Sequence, residues 1–187
     1  MELTHRLARF AGTLLTPLRA GDEKLVISRM ERGRTIDVSA DDFLNGGALP
    51  GAHAGKNAKP PGLSWAALPS ETREVVIVCE DPDAPLPKPF AHWIVYGIPP
   101  TTRSYPPAGE AETTSGVAKT GKNSKRALDF AGATPPPGHG VHHYHFQVFA
   151  LDAALPLGPG ADRDAVVAAM KGHILASGEV IGTFEAN

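Results

Sequence analysis

The run Glu74-Val75-Val76-Ile77-Val78-Cys79 is the most apolar strand-like stretch in the chain, and it limits what the rest can build. A short apolar run bounded by turn signals reads as a buried strand. It leads directly into Asp81-Pro82-Asp83-Ala84-Pro85, and His92 opens the next strand-like run, Trp93-Ile94-Val95-Tyr96. A buried strand therefore delivers two carboxylates and two prolines to one rim, with an imidazole beside them. Proline fixes φ and removes a backbone donor, so this corner is stiff. A stiff polar corner at strand ends is raw material for a binding pocket.

The chain of 187 residues is long enough to bury a full core as one domain. Aromatics make up only 6 %, whereas there are 20 Gly and 18 Pro, a balance that favours a turn-rich, strand-based fold over a helix bundle. A formal charge of -2 leaves no broad basic face, so no nucleic-acid partner is expected. The single cysteine, Cys79, lies inside the apolar run and reads as a small buried residue, with no disulfide framework to suggest an oxidising compartment. No stretch approaches the ~18 apolar residues of a membrane span. Near the start, Arg6 and Arg9 interleave with apolar residues instead of preceding an apolar core, unlike a signal peptide. A cytoplasmic location is expected.

Residues 2–19 place Leu3, Leu7, Phe10, Ala11, Leu14, Leu15 and Leu18 at helical spacing, with Pro17 ending or kinking the helix. We divide the chain into an amphipathic helical extension, 1–24, and a main domain, 25–187. Packing within the protein or a dimer is the plain role for that helix, and lying on a membrane the alternative. Leu25-Val26-Ile27 and Thr35-Ile36-Asp37-Val38 are short strand candidates, and 45–63 reads as a long irregular loop before Leu63-Ser64-Trp65. A second long loop covers about 101–125. A rigid loop at 130–140, through Pro135-Pro136-Pro137, runs into His142–Asp152, whose period-two pattern puts His142 and Tyr144 on one face of a strand. Helical periodicity returns over 162–175 with Asp162 as N-cap, and Glu179–Phe184 is the last strand.

Asp81, Asp83, His92, His142 and Tyr144 are thus candidates to converge among Gly- and Pro-rich backbone. Imidazoles, a phenol and loop N–H groups suit an anion, and a neighbouring carboxylate orients a His or accepts from an ammonium. The set fits a ligand carrying phosphate next to an amine. A zinc site is the competing chemistry, since His and Asp are also ligands. The cluster His139, His142, His143, His145 nevertheless lacks the i, i+4 helical pair of zinc hydrolases, and strand neighbours point to opposite faces. Metal-dependent hydrolysis through Asp81, Asp83 and His92 stays open as an alternative. No nucleophile elbow and no phosphate-binding glycine motif is present.

With these residues in view, the chain resembles the phosphatidylethanolamine-binding protein family, in its bacterial Raf-kinase-inhibitor-like branch. Over roughly 35–185 the carriers are Asp81-Pro82-Asp83-Ala84-Pro85, His92-Trp93, Gly121-Lys122-Asn123, Pro135-Pro136 and His142-His143-Tyr144-His145-Phe146. The resemblance implies a mainly β fold, an antiparallel β-sandwich with a few peripheral helices and, here, an N-terminal helical extension. It implies a small anion pocket formed by Asp81, Asp83, Pro85, His92, Thr134, Pro135, Pro136, His142 and Tyr144, with Thr134 offering a backbone N–H. It further implies a non-enzymatic protein that binds phosphate or phosphoethanolamine-like groups with no cofactor and no metal, inhibition of a kinase or protease as the alternative, and a homodimer. The chain departs from the family pattern at His143, where an Arg is usual, and at Phe130 and Ala133, where Tyr and Pro are usual. The missing Arg would have paired a loop carboxylate, for which Asp83 is the candidate.

Overall fold

The apolar run becomes a strand buried on both of its faces. The computed structural model describes residues 2–30, 33–106 and 118–186. The elements are helix α1 (Glu2–Leu15), the single-turn helix α2 (Val26–Arg29), strands β1 (Arg34–Thr35), β2 (Val38–Ala40), β3 (Gly47–Ala48), β4 (Leu63–Trp65), β5 (Glu74–Asp81), β6 (Phe90–Ile98), β7 (Ser104–Tyr105), β8 (Lys119–Thr120) and β9 (His142–Leu151), helix α3 (Arg163–Met170), and strand β10 (Ile174–Phe184). The large sheet runs β1-β10-β9-β5-β6-β8, with β3 also on β10, and a second sheet runs β2-β4-β7.

Alternation along β5 explains the continuous hydrophobicity of its sequence. Val75, Ile77 and Cys79 face a core shared with the small sheet, where Leu63, Trp65, Trp93, Tyr105, Phe130, Tyr144 and Phe146 also lie. Val76 and Val78 face the opposite way, into a second core capped by Val26 of α2 and by Val166 and Met170 of α3. A strand covered on both faces carries no polar alternation. The architecture is therefore a mainly β sandwich of a large and a small sheet, with helices on its outer face.

Four expectations need correction. The long strands β5, β6, β9 and most of β10 pair antiparallel, but β1 and β3 join β10 in parallel, so the large sheet is mixed at that side. Leu25-Val26-Ile27 forms no strand. Its amides at Val26 and Ile27 donate instead to Glu80 Oε2 (2.9 Å) and Gln147 Oε1 (2.7 Å), acceptors that start a helix on the sheet face. Thr35–Val38 is not one strand, because Thr35 pairs with β10 while Val38 pairs with Trp65 of the other sheet. Gly178 permits that handover, since a Cβ there would stand 1.9 Å from the Ile36 carbonyl oxygen. Finally, the helix after Asp162 ends at Met170, and β10 begins as early as Ile174. Asp162 caps as expected, accepting from the Ala165 amide at 2.9 Å.

Glu80 shows how the outer helices are fastened. Fully buried in β5, it accepts from Arg163 Nε at 2.5 Å and Gln147 Nε2 at 2.9 Å, besides the Val26 amide. A buried carboxylate is tolerable only with such complete pairing.

Candidate functional site

The ends of β5, β6 and β9 meet the proline loop at one rim, around a cavity of about 290 Å³. Asp81, Pro85, His92, Thr134, Pro135, Pro136, His142 and Tyr144 line it, together with Ala84, Leu86, Phe90 and Lys125. Asp83 is the one expected site residue that does not line it. Leu86, Phe90 and Lys125 were missed because loop residues become neighbours only through tertiary folding.

Asp81 organises the loop as much as the cavity. Its Oδ1 accepts the amides of Asp83 (2.8 Å) and Ala84 (3.2 Å), and its Oδ2 meets His142 Nδ1 at 2.7 Å. The other nitrogen of His142 is also taken, by His139 Nδ1 at 2.6 Å, and His139 Nε2 reaches the Leu15 carbonyl at 2.8 Å. Both rings are essentially buried. Three contacts in a row need three protons, whereas two neutral imidazoles bring two. The row Asp81–His142–His139–Leu15 is complete only with one added proton. In the sequence His139 stands out only as part of the histidine cluster weighed for zinc, and nothing there announces its contacts with His142 and Leu15.

His92 turns Nδ1 to the Ala131 carbonyl, and Ala131 in turn donates its amide to the His92 carbonyl at 2.9 Å. Burial drives the His92 pKa down to about 4, and the pull of the Ala131 bond and of Asp81 does not offset it. The ring is therefore neutral near pH 7, with its proton on Nδ1 and a lone pair on Nε2. Tyr144 stacks edge-on against it, ring centres 5.0 Å apart. The Tyr144 hydroxyl is buried and has no hydrogen-bond partner among the described residues. Burial, then the nearby Asp81 charge, raises its pKa, so it remains a donor.

Lys125 is placed at the mouth by Asn123, whose Oδ1 accepts the amides of Lys125 (2.9 Å) and Ala127 (3.1 Å) and whose Nδ2 donates to the Asp129 carbonyl at 2.9 Å. This gives the Gly121-Lys122-Asn123 motif a structural task. Asp83, behind the cavity, accepts from the backbone N–H of His143 and contacts its Nδ1, both at 2.7 Å, and pairs with Arg19 on the chain after α1. The position where an Arg is usual in the family pattern thus holds a His, and a guanidinium arrives from elsewhere.

The other histidines whose side chains are described are satisfied locally: His53 by Asp42 and the Lys59 carbonyl, His145 by Glu179, His173 by Asp152. Among the described residues no three His, Cys, Asp or Glu side chains are grouped to hold a metal. Burial pushes the Cys79 thiol pKa well up, which keeps it unreactive. A wider groove of about 510 Å³ beside α3 has charges already engaged, Lys88 with Asp164 and Arg163 with Glu80.

The model of the family described as phosphatidylethanolamine-binding protein matches residues 39–185. The chain belongs to the phosphatidylethanolamine-binding protein family. A UPF0098 protein of Pyrococcus horikoshii is 39 % identical over 148 residues, 76 % of this chain and 73 % of that one. The solved structure of Escherichia coli YbcL, described as a new member of the mammalian family, superposes with a TM-score of 0.74 at 28 % identity, covering 81 % of this chain and 99 % of its own. A Chlamydia trachomatis homologue of the family, CT736, gives 0.72 at 27 % identity over 83 % of this chain and all of its own, 100 %. The family match begins after α1, Arg19 and α2. No described helix is long and apolar enough to cross a membrane.

Proposed function

We propose that this phosphatidylethanolamine-binding protein family member binds, without turnover, a small ligand carrying a singly protonated phosphate group. The observation that carries this reading is the Tyr144 hydroxyl, buried at the cavity without a partner. Such a group costs about 1–3 kcal/mol while unsatisfied, and a ligand oxygen relieves it. Beside it, neutral His92 offers an acceptor at Nε2. A phosphate monoanion supplies both complements, an oxygen for the phenol and a P–OH for the imidazole. The dianion has no proton to give His92. Lys125 at the mouth adds positive charge for any phosphate ester. Both nitrogens of His142 are engaged within the protein, so it shapes the cavity wall instead of bonding the ligand directly.

The test is calorimetric titration with inorganic phosphate and with O-phosphorylethanolamine, on the wild type and Tyr144→Phe. Saturable binding that Tyr144→Phe abolishes for both probes, and that for O-phosphorylethanolamine weakens above about pH 6, where phosphate monoesters lose their second proton, supports the reading. Undiminished binding by Tyr144→Phe, or no saturable binding of either probe, overturns it.

A further inference from the structure

The extension that precedes the family region is packed behind the pocket wall. Helix α1 lies against the proline loop through Gly12, where a Cβ would stand 1.9 Å from the Pro137 carbonyl oxygen, and through Arg9, whose carbonyl would be 2.5 Å from a Cβ at Gly138. The Thr13 hydroxyl adds a contact to the Gly138 carbonyl at 3.4 Å. The chain beyond is tied down by amides of Ala20 and Gly21 donating to Ala84 (3.1 Å) and Pro82 (3.0 Å), and by Arg19 on Asp83. The apolar residues Leu7, Phe10, Leu14 and Leu18 remain exposed, so hydrophobic burial does not hold α1 in place. Its grip is polar and close-packed. One of those polar contacts, Leu15 carbonyl to His139, ends the proton row that begins at Asp81 in the cavity wall.

We propose that α1 is a proton-dependent latch on the pocket, fastened when the His139–His142 pair holds three protons and loosened when it holds two. With two protons the row cannot be completed. If His142 Nδ1–H serves Asp81 and His139 Nδ1–H serves His142, then His139 Nε2 sets its lone pair against the Leu15 carbonyl. If His139 instead keeps its proton on Nε2, two ring lone pairs face each other across 2.6 Å. A third arrangement, with the His142 proton on Nε2, would set the His142 Nδ1 lone pair against the Asp81 carboxylate and is the costliest of the three. The break therefore falls in one of the first two, each of which replaces an attraction by a repulsion in a buried place. The first expels the helix end, and the second forces His139 away from His142. Raising pH therefore releases α1. His139 is a positioning residue: it meets no cavity atom and acts through His142.

Asp81 on β5 favours the extra proton; His92 on β6 is neutral; Arg19 and His143 are both directed to Asp83, outside the row. Tyr144 on β9 stays protonated, and Lys125 at the mouth acts on His92. The row is thus left with Asp81 as its one direct carboxylate.

Coupling to ligand rests on the phosphate reading above. An anion in the cavity favours the state with the added proton, so binding fastens the latch, and by reciprocity the fastened latch favours the anion.

The experiment is histidine ring and backbone amide NMR on the full chain from pH 5 to 9. The expected result is a single titration step shared by His139 and His142, accompanied by shifts at the amides of Gly12 to Leu15. In Gly12→Ala, which displaces α1 without touching a titratable group, the His139 and His142 ring signals should lose that shared step. In His139→Asn, which fits the space but does not titrate, the α1 amides should no longer follow pH. Independent titration of the two rings, or α1 amides unmoved through the step, overturns the latch. Adding inorganic phosphate should move the step to higher pH. A phosphate titration without response at His92 and Tyr144 sinks the pocket reading and leaves the latch to the ligand-free data.

Discussion

Arg19 pairs with Asp83 across 64 residues of sequence, binding the segment after α1 to the loop that forms the pocket wall. Burial alone would raise the Asp83 pKa, but the bonds from His143 and Arg19 outweigh it and hold the carboxyl below its ordinary range. A carboxylate with a depressed folded pKa stabilises the fold above its unfolded pKa, near 3.9, and loses that contribution as pH falls through the folded value. With the Arg19 side chain 35 % exposed, Arg19→Ala should cost about 1 kcal/mol in urea unfolding at pH 7. The gap between wild type and variant should close as pH is lowered below about 4. A gap unchanged at acid pH would contradict the ion pair as its cause.

His92 makes the opposite demand on protons. Its folded pKa, about 4, lies below the ordinary 6.5, so between those values the unfolded chain takes up a proton that the folded one refuses. Its contribution is whole above pH 6.5 and should fall by on the order of 3 kcal/mol as pH drops toward 4. Comparing urea midpoints of the wild type and His92→Gln across pH 4 to 7 isolates this share. Parallel curves would count against a neutral, buried His92.

Tyr144 links stability to binding. Without ligand its hydroxyl is an unpaired buried group, so Tyr144→Phe should stabilise the free protein by about 1 kcal/mol or slightly more. Thermal unfolding should show a raised melting temperature for the variant in phosphate-free buffer, and no further rise when phosphate is added. A less stable variant would mean that the hydroxyl has a protein partner.

Gly178 bears on the fold itself. A side chain there meets the Ile36 carbonyl, where the chain passes from one sheet to the other. Gly178→Ala should cost about 1–3 kcal/mol in chemical unfolding, the usual cost of overpacking a closed site. A neutral effect would show that the handover is pliable.

The sequence reading succeeded where one residue pattern sufficed. β5 and β6 declare themselves by apolar runs, and β9 by alternation that puts His142 beside Tyr144. It failed where a distant partner decided. Val26 and Ile27 are good strand formers, yet Glu80 and Gln147 capture their amides and a helix results. Thr35 and Val38 share one apolar pattern, but two sheets claim them separately. At the site, eight of nine expected residues line the cavity and Asp83 stands behind it. The loss of Arg at 143 was legible, whereas its replacement by Arg19 was not, because only folding brings that side chain to Asp83. His139 was visible only as one of a histidine cluster, and its contacts with Leu15 and His142 were hidden for the same reason.

The family region, residues 39–185, leaves out the segment packed behind its own pocket wall. Grafting that region alone into another protein would transplant the cavity while stranding Asp83 without its guanidinium and His139 without its carbonyl. The stretch that packs around the cavity in this chain is therefore longer than the unit that marks its ancestry, and substitutions at Gly12 or Arg19 change the surroundings of the cavity without altering any residue that lines it.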